Sequence, residues 1–227
     1  MRKIFLFSIV ALATVFISSC EKDEIVKEDL STNETTEVST LKSGYTTGLY
    51  GVNQNYKNAY YHLQQNTNEC SWTNYVLATA SIIRGKGNLN YPTNAGGYSN
   101  KIAHCKSWCN NSSLITKLED YCNDVDNNAG YPINCNRVAI NKDYDLTAAY
   151  AMLNHISAHH SPFLYIGSSS GIGHYFTVWS IYWGGSLSNS DVWYTNTLSS
   201  SGTFYSMNLQ SFLDLNVMSY HNMLFLY

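Results

Sequence analysis

From Tyr45 to Tyr227 the chain is short of charge: eight Lys and Arg stand against nine Asp and Glu, and only 13% of the whole sequence is charged. A surface so close to neutral has no basic stripe with which to follow a phosphate backbone, so nucleic acid and other polyanions are not expected partners. After residue 20 there is no apolar run long enough to span a bilayer, which leaves no transmembrane candidate in the folded part. No internal repeat is visible and nothing divides residues 45–227, so one domain around one core is expected. Residues 21–44 contain no aromatic side chain, hold seven acids against three bases and are rich in Ser and Thr. Such a stretch cannot bury enough apolar surface to offset its conformational entropy, and reads as a flexible tether.

The start of the chain is an address. Arg2 and Lys3 form a basic n-region, Ile4 to Phe16 is an apolar run too short to remain as a spanning helix, and Ile17-Ser18-Ser19-Cys20 closes it. An aliphatic residue and two small ones before a cysteine resemble the bacterial lipobox. That resemblance implies a signal peptide over 1–19, acylation of Cys20 as the new N-terminus, and a tether over 20–44. Glu21-Lys22-Asp23-Glu24 is similar to the surface-export tract of some lipoproteins. The expected location is therefore outside the cytoplasm, lipid-anchored to the cell envelope at the outer membrane or surface, with the membrane as a partner through Cys20.

With Cys20 assigned to lipid, five cysteines remain, an odd number for an exported chain. Cys105, Cys109, Cys122 and Cys135 cluster, and Cys70 stands apart. The economical division is two disulfides within the cluster, in any of three pairings, and a free thiol at Cys70. A zinc site built from the four is the competing reading, but their spacing lacks the paired C-x2-C knuckles of zinc ribbons.

Along the chain, Tyr45 to Gln65 reads as an irregular lead-in. Cys70 to Arg84 is small and apolar nearly all round, a buried helix stopped by Gly85 and Gly87. Short helices are expected over Ile102–Cys109 and Ser113–Cys122, with Ser112 or Ser113 as an N-cap, and a polar loop over Asn123–Gly130. Tyr144 to His159 carries an amphipathic helical stripe. The period then changes: strands are expected at Pro162–Gly167, His174–Trp183, Asp191–Thr195, Thr203–Met207 and Met223–Tyr227, with a short helix at Leu209–Leu213. Helices first and a mostly antiparallel sheet second is an α+β arrangement.

A thiol becomes a nucleophile when it is held as a thiolate, and a helix N-terminus or a nearby imidazolium does this. Cys70 begins the most buried helix, after a polar loop expected to leave it accessible. Around it runs Gln64-Gln65-Asn-Thr-Asn-Glu-Cys70-Ser-Trp72. A loop, Ser168 to Gly173, delivers His174 to the start of an apolar strand about a hundred residues later.

These elements resemble the papain-like cysteine peptidases, in particular their bacteriocin-leader and staphopain-like branches. In that family a Gln about six residues before the nucleophile supplies half the oxyanion hole, a place matched by Gln64, with Gln65 one residue off. The nucleophile's own backbone N–H supplies the other half. The third member is an Asn or Asp on the next strand, orienting the imidazole through Nδ1. If the chain folds back about Gly184–Ser190, Asn196 falls within reach of His174, and Asp191 lies at the far end of the hairpin. Leu198 stands where the family often has Trp or Pro.

The resemblance implies a papain-like fold, with the Cys-bearing helix packed on the sheet that carries His174 and Asn196. It implies acyl transfer on a peptide or protein substrate through a thioester, a monomer, and no metal or organic cofactor. Peptidoglycan stem-peptide cleavage and other thiol acyl transfers belong to the same chemistry. Two readings compete with it. His155 and His159, four apart on a helix, have zinc-binding spacing but no acid among Ile156, Ser157 and Ala158. The abundant Tyr and Trp would suit a non-catalytic surface-binding lipoprotein, although aromatics in such number more often fill cores and strands.

Overall fold

The computed structural model describes residues 44–52, 69–88, 91, 95–167, 173–197, 204–216 and 218–227. In these, β1 (Gly48–Gly51) is followed by helices α1 (Cys70–Gly85), α2 (Ala95–Trp108) and α3 (Ile115–Tyr121). Then come β2 (Cys135–Asn141), α4 (Asp145–His159), β3 (Phe163–Gly167), β4 (His174–Trp183) and β5 (Asp191–Thr195). The chain ends with β6 (Phe204–Asn208), α5 (Leu209–Asp214) and β7 (Tyr220–Leu226). The strands form one sheet in the order β2-β7-β3-β4-β5-β6, with β1 paired to β4 beyond the end of β3. Every pairing is antiparallel. This is the expected α+β arrangement.

Side-chain alternation divides the core into two layers. Leu164, Ile166, Tyr175, Leu224 and Leu226 point to the face covered by α1, α2 and α3. Phe163, Tyr165, Phe176, Met223 and Phe225 point to the opposite face, under α4 and α5. Strand β3 is buried at every position for this reason, and its sequence Phe-Leu-Tyr-Ile-Gly shows no polar alternation. Each large apolar side chain sequestered this way contributes roughly 1.5–3 kcal/mol.

Helix α1 is buried without interruption from Cys70 to Ile83. Its small side chains let it lie close to β4 and α2, as the all-round apolar pattern implies. Elsewhere the elements depart from expectation. Helix α2 starts at Ala95 rather than Ile102, through a Gly-Gly pair of poor helix propensity. Helix α3 has Leu114 at its N-cap rather than a serine, and the Ser112 hydroxyl accepts from the Leu114 N–H at 3.4 Å. Residues Cys122–Asn127 form a wide helical turn where a loop is expected. Strands β1 and β2 lie in stretches not read as strands. Only Ile140 of β2 is buried, and the strand exists through its backbone ladder to β7.

The wide turn has an electrostatic reason. It places the Asp126 carboxylate, fully buried, against the Lys101 ammonium of α2, and Tyr75 of α1 donates its hydroxyl to the same carboxylate at 2.7 Å. The Lys101 Nζ lies 5.0 Å from the ring centre of Tyr121 and 5.3 Å from that of Tyr91, so aromatic faces surround the cation. A buried pair of this kind depends on both partners, since removal of one leaves the other charged and desolvated. Asp126→Ala and Lys101→Met are each expected to lower the unfolding free energy by about 3–5 kcal/mol. Urea unfolding should show this, and a loss below about 1 kcal/mol, the range of exposed pairs, would contradict the buried-pair account.

Candidate functional site

The hairpin of β4 and β5 determines what faces His174. Its turn needs glycine at 184, because a Cβ there would lie 2.0 Å from the Asn189 carbonyl oxygen. The Gly184 N–H donates to the Ser190 hydroxyl at 2.9 Å, which closes the turn. The ladder then runs from Tyr182↔Asp191 to Thr177↔Thr195, with an irregularity between Val178 and Ser180. Just beyond Thr195, Asn196 presents Oδ1 at 2.9 Å from His174 Nε2. Asp191 sits at the other end of the ladder, opposite Tyr182 and Asn208.

The imidazole nitrogen bonded to Asn196 is Nε2, not the expected Nδ1. His174 opens the strand with its ring edge-on to Phe176, at 4.8 Å between centres, and its far nitrogen is the one that reaches the neighbouring chain. Burial pulls the His174 pKa below its ordinary value, and the hydrogen bond with Asn196 opposes that shift without cancelling it.

Cys70 is the first residue of α1, at the positive end of the helix dipole, as expected. One expectation about its surroundings fails: the residue is only 1% exposed. The four other cysteines among the described residues are thiols, where two disulfides are expected.

They are nonetheless arranged as two pairs. Cys105 donates to Cys109, which together with burial raises the Cys105 pKa and, acting on the acceptor, lowers that of Cys109. Cys135 lies in hydrogen-bond contact with Cys122, and that contact with burial pushes its pKa far up. Helix geometry accounts for the open Cys105–Cys109 pair: Cβ atoms four residues apart are about 5–6 Å from each other, whereas a disulfide requires about 3.5–4.5 Å. Cys122 and Cys135 belong to different elements and are free of that spacing.

One residue passed over in the sequence joins the whole region. Asn74 is fully buried one turn after Cys70, and its Nδ2 lies 2.8 Å from the Cys70 carbonyl oxygen, 2.9 Å from the Tyr175 carbonyl oxygen and 3.2 Å from Thr197 Oγ1. Its Oδ1 accepts from the Thr177 hydroxyl at 2.8 Å. A lone amide on an otherwise small and apolar helix is the signal that could have found it. Trp72, 2% exposed with the Lys106 Nζ at 5.1 Å from its ring centre, is a core side chain. Cys20, Gln64 and Gln65 lie outside the described residues.

The His155 and His159 rings lie 5.3 Å apart between centres, each packed on an aromatic side chain. His155 stacks on Phe225 at 4.5 Å with the rings 6° from parallel, and His159 stacks on Tyr227 at 4.3 Å. No group of three or more His, Cys, Asp or Glu suited to a metal ion occurs among the described residues.

No protein-family model matches the chain, and no curated protein matches it in sequence. Its fold is similar to that of UfSP from C. elegans, with a TM-score of 0.53 at 12% identity over 81% of this chain. The match spans 35% of that protein, so this chain corresponds to about a third of its length. The architecture is thus the papain-like one, with helices and a mostly antiparallel sheet.

Two outcomes follow from these side chains. In a glutathione redox buffer the Cys122–Cys135 bridge should form at a more reducing ratio than Cys105–Cys109, because only the latter must distort a helical turn. Peptide mapping of alkylated samples checks the order, and equal closure of both pairs would refute it. Burial and the neighbouring His159 depress the His155 pKa to about 3. The unfolded chain binds that proton near pH 6.5, so stability should decline as pH falls from about 6.5 towards 3. His155→Phe should flatten this decline in urea midpoints measured across the range.

Proposed function

We propose that this chain is a papain-like cysteine peptidase in which reduced Cys70 is the nucleophile, His174 the acid–base and Asn196 the residue that orients the imidazole. The observation that carries this reading is the 2.9 Å contact between His174 Nε2 and Asn196 Oδ1, beside a helix that begins with Cys70 and is tied to both chains by Asn74. The papain-like fold supports it. The N-terminal pattern through Cys20 supports a lipid-anchored enzyme of the cell envelope.

The chemistry requires the thiol. The Cys70 proton passes to His174 Nδ1. While Cys70 is a neutral thiol no anion there favours the imidazolium, and burial holds the His174 pKa below its ordinary value. A thiolate opposite it supplies the missing charge and raises the His174 pKa again.

The thiolate attacks the carbonyl carbon of a peptide bond, forming the C–S bond, and the oxyanion is held by the Cys70 N–H and the Gln64 amide. His174 protonates the amine as the C–N bond breaks. Water then attacks the thioester, giving its proton to His174, and the C–S bond breaks to release the acid.

The test is hydrolysis of an unfolded protein by the full chain in dithiothreitol, with purified sacculi as a second substrate. Cys70→Ala and His174→Ala should each abolish turnover, and the double variant should be scarcely worse than either. Gln64→Ala should lower kcat by about 10²–10³, and Asn196→Ala should fall between it and the Cys70 variant. The pH profile should be a bell, rising as the thiolate forms and declining as the imidazolium loses its proton. Turnover of sacculi alone would redirect the substrate to peptidoglycan stem peptides. Substantial activity in Cys70→Ala would sink the reading.

A further inference from the structure

We propose that Asn74 is a positioning residue that sets the separation of the Cys70 thiol from the His174 imidazole and holds Asn196 in line with that ring. The inference rests on the peptidase reading above, and its ground is the placement of the acceptors of a single amide. Nδ2 has two hydrogens and three acceptors: the carbonyl of Cys70, the carbonyl of Tyr175 next to His174, and the hydroxyl of Thr197 next to Asn196. Each acceptor lies on a candidate catalytic residue or on its immediate neighbour.

The sheet explains why such a link is needed. The ladder between β4 and β5 stops at Thr177↔Thr195. Asn196 and Thr197 lie past its end, beyond the paired residues of β5. Asn74 takes over at that point, bridging the Tyr175 carbonyl and the Thr197 hydroxyl. Its acceptor atom is fixed in turn by Thr177, the last residue of the ladder. With all of these groups fully buried or held in the backbone, water cannot substitute for a lost contact without a cavity to hold it. Movement of α1 relative to β4 therefore breaks several hydrogen bonds at once. That makes the amide a stiff spacer between the nucleophile helix and the two chains bearing the base and its orienting group.

The inference is tested on the reduced full chain, freed of reductant. The rate at which iodoacetamide alkylates Cys70 is measured against pH by peptide mass for wild type, Asn74→Ala, Asn74→Asp, Thr197→Val and His174→Ala. Wild-type Cys70 should react on a limb below the ordinary thiol range. In both Asn74 variants the limb should move back towards about 8.5. Their kcat on unfolded protein should drop about 10²-fold, the size of a misplacement effect, with KM within about twofold. Thr197→Val, close in shape and lacking one link, should show a smaller shift of the same sign.

A merely structural Asn74 would reduce the folded fraction and leave the limb of the remaining native protein where it was. If the Asn74 variants keep a native near-ultraviolet spectrum with an unmoved limb while His174→Ala moves it, the inference is overturned and the catalytic pair stands. If the Asn74 variants fail to fold, Thr197→Val decides, and an unmoved limb there overturns the inference. If His174→Ala itself leaves the limb unmoved, the pair and the spacer fall together.

Discussion

A helix without a solvent face is the constraint from which the rest of this structure follows. Helix α1 is buried from Cys70 to Ile83, so a side chain at any of its fourteen positions must find its place inside the protein. Small residues let the neighbouring elements approach closely, and an amide in such a place must have its hydrogen bonds met internally. Asn74 meets that demand by bonding across to β4 and to the chain after β5. Tyr75, the next residue, meets it on the other side through Asp126, which is in turn matched by Lys101. Neighbouring polar positions on one helix thus tie it to the sheet and to the helical layer.

The two faces of the sheet have different work. The α1 face holds the candidate thiol, the buried Lys101–Asp126 pair and the cysteine cluster. The opposite face, under α4 and α5, is dominated by aromatic packing around Phe163, Tyr165, Phe176 and Phe212. It also holds a chain of hydrogen bonds in which His221 meets Asp145 at 2.8 Å and the Tyr165 hydroxyl at 2.9 Å. His174 stands at the boundary: its backbone opens the central strand, its ring packs edge-on to Phe176, and Nε2 reaches Asn196. Burial lowers the pKa of such an imidazole, and its hydrogen bond with Asn196 works against that shift.

Much of this was legible in the residues. The all-round apolar run after Cys70 could only be a buried helix, and the change to period two and β-branched residues after Pro162 could only be a sheet. The glycines at 184 and 185 placed a turn, and counting back from it put Asn196 rather than Asp191 near His174. What escaped notice had weak local signals. Strand β2 has one buried side chain and depends on the β7 backbone. The wide turn at Cys122–Asn127 forms around a carboxylate whose cationic partner is twenty-five residues away in sequence. The cysteines were divided by counting, and counting does not know that helix spacing keeps Cys105 and Cys109 too far apart to bridge without distortion.

The sequence by itself determined the order of helices and strands, the burial of α1, and the types of residue available for thiol chemistry, because these depend on periodicity and on short-range backbone preference. Only the tertiary structure decided which imidazole nitrogen meets Asn196, that the Cys70 side chain lies out of solvent, and that Asn74 spans three segments. The physical reason is the range of the interactions. A helix or a strand is dictated by neighbours a few residues apart, whereas the partners of Asn74 lie up to 123 residues away. They come within hydrogen-bonding distance only where the β4–β5 ladder runs out.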